Sequence, residues 1–371
     1  MGRLQREDTF LKEERLSMRE FYKGKKVLVT GHTGFKGSWM CRTLLLLGAE
    51  VVGFSLDPPT DPSLFDMADI KDHINSITGD IRNLALLKDT FAKEKPDIVI
   101  HMAAQPIVRT SYEEPVLTYG TNVMGTVNVL ECVRLTDSVK SFVNVTTDKV
   151  YKNNEWEWGY RETDELCGFD PYSNSKSCSE LVTYSYKNSF FSGSQRKCAI
   201  STMRAGNVIG GGDFAKDRII PDCIRAVISG SEIIVRNPYS IRPYQFVMEP
   251  VYAYLMLAAR QYEDISFEGS YNIGPDEEDI LTTGDITDMF CNKWNKNHAG
   301  ASWKNVSDKG PHEAGYLRLD TSRIKQKLGW KRKTDVSTAI DRIIEWVDVW
   351  NMGGDIPACM DRQIEEFIKT Y

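Results

Sequence analysis

The sequence predicts an α/β fold, in which a doubly wound parallel sheet is followed by a smaller C-terminal domain. Strand-like and helix-like segments alternate from residue 26 to about residue 205, and this alternation is typical of a parallel sheet with helices on both faces. The first strand-like segment runs directly into a glycine-rich turn and a helix. After residue 206 the segments become shorter and are interspersed with Pro, Asn and Asp. These three observations indicate a Rossmann-type sheet with an appended domain that we expect to bind substrate.

The domain boundaries follow from the same changes in pattern. Residues 1–24 are rich in Arg, Lys and Glu, which predicts a flexible or surface-docked leader. We assign 25–205 to the Rossmann domain and 206–371 mainly to the substrate-binding domain. Segments at about 245–275, including a strand at 269–273, are expected to return to the Rossmann domain.

Composition excludes several classes of partner. The 371-residue chain is 41% apolar and carries a net charge of −6, and its lysines and arginines are scattered, which excludes a nucleic-acid or anionic-membrane surface. No apolar run is long enough to cross a membrane. Eight cysteines form no Cys-x-x-Cys pair and five histidines have no metal-ligand spacing. We therefore expect a cytoplasmic protein with reduced thiols, no metal and a small-molecule partner.

The glycine-rich turn has the context of a dinucleotide site. Strand 26–30 leads into Gly31-His32-Thr33-Gly34-Phe35-Lys36-Gly37, and a helix follows. Glycines permit positive φ and close backbone approach, and the helix N-terminus offers unpaired N–H groups to a diphosphate. A plain strand-to-helix turn is the alternative reading.

Later strand ends extend this predicted cofactor site. Strand 50–55 ends at Ser55, where an acidic residue commonly binds the ribose. No arginine follows to bind a 2′-phosphate, which favours NAD, although Lys36 leaves NADP possible. The small residues Ala103 and Ala104 end the fourth strand, and His101 is interpreted as a core residue. The predicted cofactor-binding residues are Gly31, Thr33, Gly34, Phe35, Lys36, Gly37, Ser55, Asp80, Ile81, Ala103, Ala104, Gln105, Asn122, Tyr172 and Lys176.

The candidate reactive groups lie in two neighbouring stretches. A β-branched strand runs out at Thr147-Asp148-Lys149, which places these polar groups at the carboxyl end of the sheet. Tyr172 and Lys176 are spaced i, i+4 on the following helix and share one face. A nearby ammonium favours the phenolate, so the pair predicts a general base. The same spacing also occurs on solvated helix faces.

With these residues in place, the chain resembles the extended short-chain dehydrogenase/reductase family over about residues 25 to 350. The Thr-Asp-Lys triplet at 147–149 is similar to that of the CDP-glucose 4,6-dehydratases. At the same place the dTDP-glucose dehydratases have a triplet similar to Thr-Asp-Glu, and the GDP-mannose dehydratases have one similar to Thr-Ser-Glu. Three further stretches resemble the same subgroup: Thr33-Gly34-Phe35-Lys36-Gly37-Ser38-Trp39, Asp217-Arg218-Ile219-Ile220-Pro221-Asp222, and Arg236-Asn237-Pro238 followed by Arg242-Pro243-Tyr244-Gln245.

The resemblance implies roles for individual residues. Tyr172, assisted by Lys176, would remove the C4 hydroxyl proton, and Thr147 would orient that oxygen. Lys149 would remove the C5 proton and Asp148 would protonate the C6 oxygen. The implied substrate is CDP-glucose, the cofactor is NAD and the assembly is a homodimer. The implied substrate-binding residues are Asn207, Arg218, Arg236, Arg242 and Tyr244.

Other readings stay open at this point. Asp148 could cap the following turn, and Lys149 could be a solvated charge at a strand end. A nucleotide-sugar 4-epimerase, or a dehydratase acting on another nucleotide sugar, would use the same glycine turn and Tyr/Lys pair. A non-catalytic dinucleotide-binding protein is a third class, but it would be expected to have lost Tyr172 or Lys176.

Overall fold

The computed structural model describes residues 18–193, 198–298, 300–306 and 315–371. Its strands are β1 (Lys26–Thr30), β2 (Glu50–Ser55), β3 (Asn75–Thr78), β4 (Ile98–His101), β5 (Ser141–Thr147), β6 (Ala199–Ala205), β7 (Val208–Ile209), β8 (Ile233–Val235), β9 (Ile241–Arg242), β10 (Gln245–Phe246), β11 (Ser270–Ile273), β12 (Leu281–Thr282) and β13 (Trp303–Asn305). Seven of these strands form the main sheet in the order β11-β6-β5-β4-β1-β2-β3, and every neighbouring pair is parallel.

Helices connect these strands and cover both faces of the sheet. The helices are Phe35–Leu46, Leu64–Met67, Leu84–Glu94, Val108–Glu113, Pro115–Tyr119, Gly125–Arg134, Pro171–Phe190, Ile219–Ser229, Met248–Glu263, Thr283–Asn297, Ser322–Leu328, Val336–Asn351 and Ile356–Ile368. A π-helical turn at Gly120–Met124 joins the fifth and sixth of them. The predicted fold class, a doubly wound parallel α/β sheet with a C-terminal extension, is confirmed.

The alternation of side chains along the strands explains why the sheet is covered twice. Val27 and Val29 of β1 pack into one hydrophobic cluster, and Leu28 packs into the other cluster, on the opposite face. Successive side chains of a strand point to opposite faces. A strand that is apolar at every position therefore needs a layer of helices on each side.

The C-terminal part of the chain contributes one strand to the main sheet and forms three small ladders outside it. Strand β11 pairs with β6 at the edge of the main sheet, as the sequence predicted for a strand at 269–273. Three small ladders, β7 with β10, β8 with β13 and β9 with β12, lie outside the main sheet. Helices Ile219–Ser229, Thr283–Asn297 and Ile356–Ile368 were not predicted from the sequence.

The end of the predicted leader is docked on the main body. Residues 18–22 are helical, Tyr22 is fully buried, and its hydroxyl donates to the Leu255 carbonyl at 2.8 Å. Of the two alternatives expected for the leader, flexible or surface-docked, these residues have the docked one, because a buried aromatic ring fixes them to the helix Met248–Glu263. Residues 1–17 lie outside the described part of the chain.

A buried ion pair joins the helix Pro171–Phe190 to the sheet. The Arg204 Nε and Nη2 atoms donate to the two Glu180 oxygens at 2.9 and 2.8 Å, and both side chains are 2% exposed. Thr146 and Thr202 donate to the same carboxylate. This network fixes the helix that carries Tyr172 and Lys176 against the neighbouring strands β5 and β6.

We expect Glu180→Gln to lower the free energy of unfolding by about 3–5 kcal/mol, because it leaves the Arg204 guanidinium buried without a counter-charge. Urea unfolding followed by circular dichroism measures this. The matched control is Glu232→Gln, which breaks an exposed pair with Lys304 and should cost less than about 1 kcal/mol. Equal losses in both variants would contradict the assigned role of the buried pair.

Candidate active site

The predicted reactive residues meet at the carboxyl end of β5. The Thr147 hydroxyl donates to the Asp148 Oδ1 atom at 2.8 Å, and it is also hydrogen-bonded to the Tyr172 hydroxyl. One chain of hydrogen bonds therefore links the phenol, the threonine and the carboxylate.

Local structure holds the helix of Tyr172 in register with the strand. Asp170 caps its N-terminus by accepting from the Ser173 N–H at 2.9 Å, and Pro171 occupies the first turn. The backbone N–H of Tyr172 donates to the Ser111 hydroxyl at 3.1 Å. One turn later, the Lys176 ammonium donates to the Val145 carbonyl at 3.1 Å. The i, i+4 spacing thus places both side chains against β5.

Burial controls the protonation of both groups. Burial raises the pKa of Tyr172 to about 12, and its hydrogen bond with Thr147 opposes this only in part. Burial also lowers the pKa of Lys176 to about 8, against the attraction of Glu180. The predicted lowering of the phenol pKa is therefore wrong for the protein alone, because desolvation outweighs the effect of nearby charge.

Asp148 and Lys149 form an ion pair directly after the carboxyl end of β5. Asp148 is fully buried, and its Oδ1 atom lies 3.2 Å from the Lys149 ammonium. Its Oδ2 atom has no hydrogen-bond partner among the residues that the structure describes. The hydroxyl of Thr147, not Asp148, caps the following turn. The capping reading of Asp148 therefore does not hold, and Lys149, whose side chain is 27% exposed, has Asp148 as its counter-ion.

Two of the three loop glycines are required by the fold itself. Gly31 has φ +76°, and a Cβ there would lie 2.8 Å from the backbone of Ala103. A Cβ on Gly37 would lie 2.1 Å from the Gly31 carbonyl oxygen. At Gly34 the nearest atom to such a Cβ is 3.5 Å away, an ordinary contact. Chain packing therefore does not demand a glycine at position 34, whereas an approaching ligand would.

The helix that follows Gly34 presents a site for an anion. Gly34 is the N-cap of Phe35–Leu46, and no side-chain oxygen caps this end. The first N–H groups of a helix have no intrahelical partners and attract negative charge. An open Gly34 and an uncapped helix start are the features that fit the diphosphate of a dinucleotide.

The end of β2 is polar but not acidic. Thr33 donates to the Leu56 carbonyl at 2.9 Å and shares a hydrogen bond of 2.9 Å with Ser55. These two hydrogen bonds connect the glycine loop to the end of β2. In a dinucleotide-binding sheet, this strand end is where the adenosine ribose would lie.

Several predicted cofactor residues have other side-chain partners. Asp80 binds the Arg82 guanidinium, and this contact lowers the pKa of Asp80. Ile81 is buried beneath the helix Gly125–Arg134, at Gly125. The amides of Gln105 and Asn122 hold their own loop, and Asn122 also donates to Ser175 at 2.8 Å. For these four residues, cofactor contact remains a prediction that their backbone groups could fulfil.

His101 is a satisfied core residue, as predicted. Its Nδ1 atom lies 2.7 Å from the Thr30 hydroxyl and its Nε2 atom lies 3.2 Å from the Thr126 hydroxyl. Thr30 in turn accepts from the N–H groups of Met102 and Ala103. This arrangement fixes the backbone that leads into Ala103 and Ala104.

The charged groups of the reactive cluster influence the pKa of Lys36. Burial, and then the like charges of Lys176 and Arg218, lower the pKa of Lys36 to about 7, whereas Asp148 and Asp213 oppose this shift. The Lys36 amine is therefore near enough to the charges of the reactive cluster for them to influence its pKa.

Three of the predicted substrate-binding residues have polar side-chain partners. Asn207 accepts from the Lys149 ammonium at 3.4 Å and so positions it. Arg218 pairs with Asp213 at 2.9 Å, and Arg236 pairs with Asp217 at 2.6 Å. Sequence reasoning missed Asp213, although it follows the conspicuous triplet Gly210-Gly211-Gly212.

Arg242 and Tyr244 are more deeply placed than expected. Both are at most 5% exposed, and the Tyr244 hydroxyl lies 3.2 Å from the Thr283 hydroxyl. Substrate contact by these two residues stays a prediction.

The described ranges contain no group of three or more His, Cys, Asp or Glu residues arranged to hold a metal ion. Within the same ranges, no helix has the length and apolar character needed to cross a membrane.

Comparison with curated proteins gives relatives along most of the chain. The chain is 47% identical over 356 residues to a CDP-glucose 4,6-dehydratase of Salmonella typhimurium, covering 95% of this chain and 98% of the relative. It is 27% identical to a dTDP-glucose 4,6-dehydratase of Shigella flexneri, covering 86% of this chain and 92% of the relative.

Solved structures share the fold at lower identity. A dTDP-glucose 4,6-dehydratase of Bacillus anthracis in complex with NAD superposes with a TM-score of 0.72 at 21% identity, covering 88% of this chain and 97% of that one. A UDP-glucose 4-epimerase of Thermus thermophilus in complex with NAD gives a TM-score of 0.74 at 23% identity, covering 87% of this chain and 99% of that one. The sequence model of the family described as GDP-mannose 4,6 dehydratase matches residues 28–343. The chain therefore belongs to the GDP-mannose 4,6 dehydratase family, within the extended short-chain dehydrogenases/reductases that its motifs resemble.

Proposed function

We propose that the protein is a CDP-glucose 4,6-dehydratase, which converts CDP-D-glucose to CDP-4-dehydro-6-deoxy-D-glucose with NAD as its cofactor. The observation that carries the proposal is the buried Asp148 carboxylate, with one oxygen bound to Thr147 and Lys149 and the other without a partner in the described structure. A buried, half-satisfied carboxylate next to an amine suits an acid–base reaction on a bound ligand. The 47% identical relative carries this activity in its name.

The residues that fit NAD are the glycine loop, Ser55 and the small residues after β4. Gly34 leaves room at the helix start for the diphosphate, and Ala103 and Ala104 leave room for a flat ring. When bound, NAD⁺ would take a hydride from C4 of the hexose and later return it to C6, so that the net reaction is the loss of water.

Tyr172 is the group that we assign to the C4 hydroxyl. The Tyr172 oxygen is hydrogen-bonded to Thr147. A sugar hydroxyl that binds beside both side chains would therefore be oriented by Thr147 while Tyr172 accepts its proton. With its pKa raised to about 12 by burial in the protein alone, Tyr172 acts as a base only where added positive charge stabilises the phenolate. Lys176 is one turn away on the same helix and can supply part of that charge.

The Asp148–Lys149 pair can supply both groups that the elimination needs. Transfer of one proton along the existing contact of 3.2 Å turns the ion pair into a neutral amine and a neutral carboxylic acid. Lys149 can then accept the C5 proton, while Asp148 donates its proton to the departing C6 oxygen, which leaves as water. After both transfers the ion pair is restored. The C5 proton is acidic enough for this step only while C4 is a ketone.

The experiment that tests the proposal is incubation of the purified protein with CDP-, dTDP-, UDP- and GDP-glucose, followed by mass spectrometry. We expect loss of one water from CDP-glucose at a higher rate than from the others, without net accumulation of reduced cofactor. Faster turnover of dTDP-glucose would contradict the choice of nucleotide. Conversion of a hexose to its C4 epimer without loss of water would instead indicate an epimerase.

We propose that two copies form a homodimer through two neighbouring helical segments, 115–134 and 171–190. Large apolar side chains on these segments are exposed, including Val116 at 85%, Met124 at 54%, Leu181 at 52% and Tyr184 at 69%. Exposed apolar patches of this kind mark association surfaces, and the resemblance to dimeric family members favours a second copy as the occupant.

Sedimentation should therefore give a dimer for the wild-type protein. Leu181→Asp should shift it to a monomer by burying a charge in the interface. The control variant Met352→Asp, on an exposed residue 82% accessible outside both segments, should remain dimeric. A monomeric wild-type protein would contradict this assignment.

We also place the protein in the cytoplasm, because all eight of its cysteines are free thiols.

A further inference from the structure

Two arginines from distant parts of the chain approach one carboxylate. The Arg236 Nη1 atom donates to Asp217 Oδ1 at 2.6 Å, and the Arg109 Nε atom lies 4.0 Å from the same oxygen. Arg109 belongs to the helix Val108–Glu113 in the Rossmann part of the chain, whereas Arg236 directly follows β8. The side chains of all three residues are between 33% and 37% exposed, so solvent and ligands can reach them.

This cluster lies at the edge of the reactive site. Ser111, two residues after Arg109, accepts the backbone N–H of Tyr172 at 3.1 Å. Arg218, the residue after Asp217, is close enough to Tyr172 to influence its pKa. The shared carboxylate therefore lies between the two arginines and beside the residues assigned to the hexose.

Carboxylates and phosphates bind the arginine fork through the same kind of oxygen pair. We propose that Arg109 and Arg236 bind the diphosphate of the substrate, and that Asp217 occupies both arginines in the free protein until the diphosphate displaces it. This inference rests on the proposed function, since it takes a nucleoside-diphosphate sugar as the ligand. It adds Arg109 to the substrate site and makes Asp217 a competitor of the substrate.

Charge and exposure explain why the exchange can occur. An exposed ion pair contributes little net free energy, and a diphosphate offers more charge and more oxygens than one carboxylate. After displacement, the Asp217 carboxylate still repels the diphosphate at close range. Removal of its charge should therefore strengthen binding, which is the opposite of what loss of a supporting residue would do.

The decisive variant is Asp217→Asn, with binding measured by calorimetry. Asp217 has φ +60°, and asparagine also tolerates this left-handed conformation. We expect the Kd for CDP to fall about 2- to 5-fold, the range that loss of one exposed ion-pair competitor allows. The gain should become smaller in the background of Arg236→Gln, which removes the nearer of the two arginines that Asp217 contacts, and Arg109→Gln alone should raise the Kd roughly tenfold. Glu232→Gln, which removes a charge from the exposed pair with Lys304, should leave the Kd unchanged.

The same titrations with dTDP, UDP and GDP, and with CMP, separate this inference from the proposed function. If another nucleoside diphosphate binds better than CDP but still gains from Asp217→Asn, the inference holds and only the choice of nucleotide is wrong. If nucleoside diphosphates bind and Asp217→Asn leaves their Kd unchanged or raised, the inference is overturned while the proposed function stands. An equal gain for CMP would also overturn it, because the effect would not depend on the diphosphate. If no nucleoside diphosphate binds the wild-type protein, both fall together.

Discussion

Tyr172→Phe should lower turnover of CDP-glucose by about 10²–10⁴-fold while substrate still binds. The substitution keeps the ring, which is 9% exposed, and removes only the oxygen that is hydrogen-bonded to Thr147. Without that oxygen, the C4 hydroxyl loses its proton acceptor. Single-turnover kinetics measure the rate, and calorimetry with CDP measures binding separately.

The control for Tyr172→Phe is Tyr22→Phe. Tyr22 is also buried, and its hydroxyl donates to the Leu255 carbonyl rather than to a residue of the reactive cluster. This variant should lose about 1 kcal/mol of stability and retain wild-type turnover. A Tyr172→Phe protein that works at nearly the wild-type rate would show that another group accepts the proton.

Much of the fold could be predicted from local sequence pattern. Short runs such as Val27-Leu28-Val29 are apolar at every position, which indicates strands buried on both faces. The helix Thr283–Asn297 was missed although its start was readable: Thr282 and Asp285 form a capping box. The helix Ile356–Ile368 likewise begins after the capping residue Asp355. Such caps are short polar signals that are easily overlooked beside Pro- and Asn-rich segments.

Part of the candidate site could likewise be predicted from the sequence, and part could not. Thr147, Asp148 and Lys149 are adjacent in the chain, so their meeting at a strand end could be predicted. The contact of Arg109 with Asp217 depends on how two distant parts of the chain meet, and no local pattern gives it. Arg218 and Asp213 are only five residues apart, but the loop that brings them together has no regular period that would predict their contact. The pKa of Tyr172 was predicted in the wrong direction because helical spacing reveals a neighbouring charge but not the depth of burial.

Lys149→Met should stop the reaction after oxidation at C4 and before loss of water. Methionine is similar in length but cannot accept a proton, so the C5 proton would have no base. The ammonium of Lys149 lies 3.2 Å from Asp148 and 3.4 Å from Asn207, and the loss of its charge leaves the Tyr172–Thr147 contact in place. On mixing with CDP-glucose, the absorbance of reduced cofactor should therefore still rise.

Exchange with deuterated water isolates the step that Lys149 performs. The wild-type protein should incorporate deuterium at C5 during turnover, whereas Lys149→Met should neither incorporate it nor release product. Lys152→Met is the matched control, because Lys152 lies three residues further on, is 53% exposed and pairs with Glu165 at 3.1 Å; it should behave as wild type. Should C5 exchange survive in Lys149→Met, the base must be another group. Asp148 would be the first candidate, followed by Lys36, whose pKa is lowered to about 7 by burial and is influenced by the charge of Asp148.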